Sequence, residues 1–593
     1  MRFGLSVLAL VVAGAGAVSA QQAADAVDPE AAGVGVFGGW PEAAAEALEA
    51  KAAGAPVVAQ NFMVAAANPH AVKVGRDVLA AGGTAADALV AVQAVLGLVE
   101  PQSSGLGGGA FLVWYDAASG EVTTLDGRET APLAATPRLF QDENGEPMGF
   151  FDAVVGGRSV GTPGTPALMG EVHARWGKQV WADLLAPAIA LAEDGFAVSP
   201  RLAGMVAGDA ERLASSDVTA AYFLPGGAPI AEGSLLRNPA YAATLRAMAE
   251  GGAGVFYEGE IAASIVETVQ GAANAGVLSE IDLSIYQVKE RPAVCSAFRA
   301  HQVCGMGPPS SGATTVGQIL GLLDGYDLSA GPMDAQVRRL MGDAARLAFA
   351  DRGRYLADSD FVPVPVAGLL DPEYLRLRAQ LLSGETALEE VFAGSPDFDH
   401  ALNWADDTSL EFPSTSHISI VDAAGNVASM TTTIENGFGS RLMVGGFLLN
   451  NELTDFSFRS HDGGIPIANR VEPGKRPRSS MAPTIVLKDG VPVLAVGSPG
   501  GSRIIGYVAQ AVIAHLVWGL DPQQAAALPH AVNRFGKYDL EEGTAAEALA
   551  APLTAMGFEV GTRALTSGLH MIAIGEELQG GADPRREGIA MGG

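Results

Sequence analysis

The chain has 593 residues, 48% of them apolar and 17% charged, a globular composition long enough for about one to four domains. Its 66 Asp and Glu outnumber 36 Lys and Arg for a net charge of -30, which argues against nucleic acid as a partner, because neutralising phosphates needs a basic face. The same field repels an anionic small molecule, so a substrate that is an acid needs specific local cations to hold it.

The first twenty residues read as a signal peptide: Arg2 gives a positive start, Val7 to Ala13 an apolar stretch, and Val18-Ser19-Ala20 a small-residue cleavage pattern. The stretch is short for a membrane span, and an uncleaved anchor is the alternative. Export to the periplasm or the medium follows, with no membrane span in the mature protein. Residues 21 to 60, rich in Ala, Gly and Gln, read as a mobile leader, with packing expected from Met63. Thr84-Ala-Ala-Asp87 predicts a capping box, and Ala88, Leu89, Val92, Val95, Leu96 and Val99 continue at helical spacing until Pro101.

FLVWYD from Phe111 and VTTLDGR to Arg128 read as two strands across a turn at 117–120. Ala- and Leu-rich segments at 160–270 and 333–393 have helical spacing. In VCSAFRAHQVCGM, a hairpin turning at Arg299-Ala300 sets Cys295 opposite Cys304 in a non-hydrogen-bonded pair, where side chains approach closest. A cross-strand disulfide fits that register and an oxidising compartment; two free thiols are the alternative.

Gly394 to Ser414 is acidic, with turn formers at both ends, and is the best candidate for an exposed linker. Directly after it, 416–422 and 427–433 read as a hairpin, with further strands at 446–450, 483–488, 491–497 and 569–575 and helices at 502–518 and 521–528.

Several familiar signatures fail. The glycine patterns beginning at Gly33 and Gly105 lack the strand-loop-helix context of a dinucleotide site, no Gly-Lys pair continues into a phosphate loop, and neither H-E-x-x-H nor G-x-S-x-G occurs. What remains is Thr415-Ser416-His417 at a strand start and Ser498-Pro499-Gly500-Gly501-Ser502 before a helix. Adjacent glycine N–H groups at a helix N-terminus can stabilise an oxyanion. Each has a plainer reading too: Thr is common at strand starts, and Gly-Gly often makes only a tight turn.

Ten blocks in order over residues 63 to 586 decide between these readings: MVAAANPHAVKVGRDVLAAGGTAADA, VEPQSSGLGGGAF, LDGRETAP, VGTPGTPALM, GPPSSG, STSHISIVDAAGN, NNELTDFS, GKRPRSSMAPTIV, GSPGGSRI and ADPRR. With them the chain resembles the gamma-glutamyltransferases, a family of N-terminal nucleophile hydrolases. The resemblance implies an α/β fold, a four-layer αββα sandwich formed jointly by two chains. It implies autocatalytic cleavage between Ser414 and Thr415, giving a large chain 21–414 and a small chain 415–593, which together form a heterodimer. The freed amine of Thr415 then serves as base toward its own hydroxyl.

Thr433 matches a threonine that orients the nucleophile, and Gly500 and Gly501 match the oxyanion-hole glycines. Arg128 matches the arginine for the substrate α-carboxylate, supported by Ser479 and Ser480. Asp455 matches the acid for the α-amino group, with Glu435 and Glu452 beside it where some members carry Asn and Gln. A zwitterion held by a cation and hydroxyls at one end and carboxylates at the other would be oriented. No metal or cofactor is implied. The substrate class is γ-glutamyl compounds such as glutathione, with water or an amine as acceptor. Ser416 replaces a threonine often found there, and 458–474 looks shorter than a full lid. The rivals are a cephalosporin or glutaryl acylase on the same scaffold and an unprocessed, non-enzymatic peptide binder.

Overall fold

The structure is a computed structural model that describes residues 37–593 except 401, 402, 408, 410 and 413. The expected signal peptide and the start of the leader therefore lie outside the described residues.

Local signals act where the chain is most apolar. Thr84 and Asp87 form a capping box, the Asp87 N–H donating to Thr84 Oγ1 at 3.2 Å and the Thr84 N–H to Asp87 at 2.9 Å. The helix they start, Ala85–Val99, is buried along its whole length, as expected of a helix apolar on every side. Pro69–Ala80, capped by Asn68, packs beside it.

Two seven-stranded antiparallel sheets organise the molecule. The first runs Ile589–Gly592, Met63–Ala66, Ser416–Val421, Val427–Thr433, Gly109–Asp116, Glu121–Gly127 and Lys289–Arg291. The second runs Val57–Ala59, Leu578–Ala582, His570–Ile574, Val491–Gly497, Thr484–Lys488, His301–Gly305 and Val294–Phe298. Alternation along the strands sorts their side chains between cores. Ile418, Ile420, Ala428 and Met430 join the helices Pro69–Ala80 and Ala85–Val99 in one core. Val421, Val427, Ile485, Ala495 and Ile572 meet between the sheets. Val486, Leu494, Val496 and Met571 face a core with helices Gly312–Leu323 and Ile504–Leu516. Among the described residues no helix is long and apolar enough to cross a membrane.

Two expectations need correction. Packing begins before Met63: the helix Ala45–Ala52 buries Ala47, and Val57–Ala59 pairs with Leu578–Ala582. Small side chains gave this segment no periodic signal, yet they permit close packing. The stretch 394–414 is an exposed linker only in its first half, where Ser395, Asp397, Asp399, His400 and Asn403 are exposed; further on, Trp404, Asp407, Glu411, Phe412 and Ser414 are buried. Asp407 and Glu411 are internal because they pair with the buried Arg478 and Arg352, while Asp397, Asp399 and Asp406 are exposed, and the Phe412 ring lies 4.1 Å from that of Phe150. Smaller differences are the strand expected at 446–450, which spans only Phe447–Leu448, and the helical region after 333, which ends at Ser383.

The hairpin Val294–Phe298/His301–Gly305 pairs Cys295 with Cys304 in the expected register, and the two are joined by a disulfide with Cα atoms 4.0 Å apart.

Candidate active site

Thr415 sits one residue ahead of Ser416–Val421, a strand inside the first sheet, and the pairing Ser416↔Thr432 brings Thr433 beside it. Glycine makes this approach possible from the other flank: Thr433 pairs with Gly109, and a Cβ on neighbouring Gly108 would lie 1.9 Å from the Thr433 carbonyl oxygen. The backbone between Ser414 and Thr415 is continuous, with the Thr415 hydroxyl in contact with the Ser414 carbonyl oxygen. Thr433 Oγ1 lies 3.3 Å from Thr415 Oγ1 and donates to the Ser414 carbonyl at 3.2 Å, while accepting from the Glu435 N–H at 2.8 Å. One carbonyl thus faces two hydroxyls.

The cavity around this bond is lined by Arg128, Glu411, Phe412, Ser414, Thr415, Thr433, Glu435, Glu452, Asp455, Ser479, Ser480, Met481, Gly501 and Ile504. Of the catalytic and substrate-binding residues expected from sequence, only Gly500 is outside this lining, one position behind Gly501. Both glycines have positive φ, 136° and 57°, the second in the left-handed region that side chains disfavour. They lead through a short turn into the helix Ile504–Leu516.

The cation and the acids expected at opposite ends of a ligand touch each other in the uncut chain. Arg128 pairs with Glu452 and Asp455, and also donates to the carbonyls of Pro477 at 3.2 Å and Arg478 at 3.0 Å. Burial works against the Arg128 charge, but Glu452, Asp455 and Glu129 outweigh it and raise its pKa. The acids carry the cost. Burial lifts Glu435 to about 7 against the hydrogen bonds from Asn451 and the Phe412 N–H. Burial also raises Glu452 and Asp455 well above the ordinary carboxylate range, with other acids adding to the shift and Arg128 opposing it.

Several members of this environment were not singled out from sequence. Glu129 is fully buried 4.0 Å from Arg128, and burial raises it to about 7. Arg352 donates to Ser480 Oγ at 2.8 Å and pairs with Glu411. Arg586 Nη1 donates to the Thr415 carbonyl at 3.0 Å. Glu129, Arg478 and Arg586 lie inside the quoted blocks LDGRETAP, GKRPRSSM and ADPRR, where adjacency to Arg128 and Ser479 and the fixed terminal motif could have drawn attention to them; Arg352 and Glu411 lie in none. Among the described residues no group of His, Cys, Asp and Glu side chains could hold a metal ion.

A sequence profile of the family described as Gamma-glutamyltranspeptidase matches residues 71–593. The glutathione hydrolase proenzyme of Bacillus subtilis (strain 168) is 38% identical over 552 residues, covering 90% of this chain and 92% of that protein. In structure, the cephalosporin acylase of Bacillus halodurans superposes with a TM-score of 0.80 at 27% identity, covering 91% of this chain and 97% of that one. A Helicobacter pylori gamma-glutamyltranspeptidase chain matches with a TM-score of 0.54 at 34% identity, covering 56% of this chain and 96% of its own.

Proposed function

This chain belongs to the gamma-glutamyltranspeptidase family, and we propose that it hydrolyses and transfers γ-glutamyl groups through Thr415, after a cut in its own backbone before that residue. The observation that carries the reading is the meeting of two hydroxyls, Thr415 and Thr433, at the Ser414 carbonyl. In the first reaction the Thr415 oxygen adds to the Ser414 carbonyl carbon, the peptide nitrogen leaves as the new α-amine, and water hydrolyses the resulting ester. The products are a large chain 21–414 and a small chain 415–593, which stay together as a heterodimer because strands of both build each sheet.

In turnover the freed amine takes the Thr415 hydroxyl proton as the oxygen attacks the γ-amide of glutathione or a similar donor. Thr433 holds the nucleophile, and N–H groups of the Gly500-Gly501 loop face the developing oxyanion. The leaving amine departs protonated, and water or an acceptor amine resolves the γ-glutamyl ester. Arg128, Ser479 and Ser480 take the α-carboxylate, and Asp455 with Glu435 and Glu452 takes the α-ammonium. The three cores support a four-layer αββα sandwich, and the first twenty residues support export to the periplasm or medium.

The likeness to a cephalosporin acylase favours one alternative, removal of a glutaryl group. A glutaryl chain lacks the ammonium that Asp455 would hold, so the two readings separate by substrate. Mass spectrometry of the purified protein should find a chain beginning at Thr415, and that protein should release glutamate from glutathione faster than glutarate from a glutaryl amide. An intact chain that releases neither, or a clear preference for the glutaryl amide, would overturn the reading.

A further inference from the structure

The uncut chain fills its own cavity. The space beside Thr415 is about 20 Å³, room for about one water, so no γ-glutamyl group can enter while the preceding residues keep their places. The Ser502 N–H donates to the Glu411 carbonyl at 3.2 Å. A Cβ on Gly501 would lie 2.4 Å from that oxygen and 2.6 Å from the Phe412 carbonyl carbon. The Glu411-Phe412 backbone therefore covers the glycine loop that turnover requires, and must withdraw from it.

Withdrawal takes a carboxylate away from two buried cations. Glu411 pairs with Arg352 Nη2, which also donates to Ser480 Oγ at 2.8 Å, while Arg352 Nε donates to Ser311 Oγ at 2.9 Å. Arg478 Nε lies 3.8 Å from the same Glu411 oxygen and has no hydrogen-bond partner among the described residues. Its Nη2 pairs at 3.0 Å with Asp407, a second acid of the same stretch. Arg352 and Arg478 are 1% and 0% exposed, and buried guanidinium groups need an anion once their own is gone. Arg128 differs, since it keeps Glu452 and Asp455, both beyond the cut.

We propose that the seat of the Glu411 carboxylate, between Arg352, Arg478 and Ser480, is a carboxylate subsite that receives an acid group of the substrate after the segment withdraws. The inference rests on the γ-glutamyl reading and extends it. The recognised chemistry is a carboxylate against a planar guanidinium and a hydroxyl. Glutathione offers two, the α-carboxylate of its γ-glutamyl group and the carboxylate of its glycine.

Arg352→Gln and Arg352→Lys test it, each first checked on gels for cleavage at Thr415. Steady-state kinetics then compare glutathione with γ-glutamyl-p-nitroanilide, whose leaving group has no carboxylate. Arg352→Gln should raise KM about tenfold or more with little change in kcat, and Arg352→Lys should recover part of the loss. A rise for both substrates assigns the seat to the α-carboxylate, and a rise for glutathione alone assigns it to the glycine end. Unchanged KM for both overturns the subsite. Should Arg352→Gln stay uncut, Arg352→Gln/Glu411→Gln removes both partners together and carries the same comparison. Should that variant stay uncut as well, Arg478→Gln, on the other side of the seat, carries the same comparison, and unchanged KM for both substrates there overturns the subsite. A parent enzyme inert toward both substrates would instead refute the γ-glutamyl reading itself.

Discussion

Thr415 has one hydroxyl for two attacks, first on the Ser414 carbonyl and then on a substrate amide. Thr415→Ala should therefore leave a folded, unsplit and inactive chain, whereas Thr415→Ser should retain slow cleavage and some turnover. Gels and glutamate release from glutathione check both, and a Thr415→Ala protein that still splits and turns over would sink the mechanism. Arg128 has a different burden, because it neutralises Glu452 and Asp455 inside the cavity. Arg128→Ala leaves those acids buried without their cation; proton uptake by the raised carboxyls offsets part of the cost, so the loss is at most on the order of 3 to 5 kcal/mol. Its effect should appear as a lower melting temperature in the uncut form and a raised KM in the cut form. A variant with raised KM and unchanged melting would mean that the acids find another partner.

The elements that bring these residues together differ in how far they can be read from sequence. Ser416–Val421 and Val427–Thr433 announce themselves by alternation and an intervening turn, and the disulfide follows from a two-residue loop that fixes register. That bridge spans only nine positions at the edge of its sheet, so its chain-entropy contribution is at most about 3 kcal/mol. Cys295→Ala/Cys304→Ala should lower stability by no more than that and quicken hydrogen exchange in the hairpin, with turnover retained. Loss of cleavage would show that this edge supports the site across the sheet. Val57–Ala59 and Ile589–Gly592 were not legible, since they are short strands defined by partners hundreds of positions away, and Leu578–Ala582, though it also closes a hairpin with His570–Ile574, is too rich in Gly to show alternation. The site shows the same divide. Ordered blocks pointed to Arg128, Asp455 and Ser479, but no motif joins Arg352 to Glu411, whose relation exists only once the acidic stretch folds inward.

At the scale of the whole molecule, buried histidines and buried acids oppose one another as pH falls. Burial holds His417 and His530 well below their ordinary pKa, His570 at about 3 and His70 at about 4. Below the unfolded value of 6.5 the unfolded chain gains protons that these rings refuse, so they withdraw stability. The raised acids do the reverse. Glu129, Glu435 and Glu587 sit at about 7, and burial raises Glu452 and Asp455 as well. Their folded forms hold protons while the unfolded carboxylates, near 4, are still ionised, so they add stability as pH falls from 7 to about 4.5. Below that the unfolded carboxylates are protonated too and the gain ends, while the histidine deficit continues and acids held low, such as Asp407 and Asp583, lose their pairs. The melting temperature of the unsplit Thr415→Ala protein should therefore stay nearly level from pH 6.5 to about 4.5 and fall steeply below. Adding Glu435→Gln and Glu452→Gln removes part of the opposing gain, so the level region should tilt and the fall begin near pH 6.5. Identical melting profiles for the two proteins would show that these acids do not hold protons in the fold.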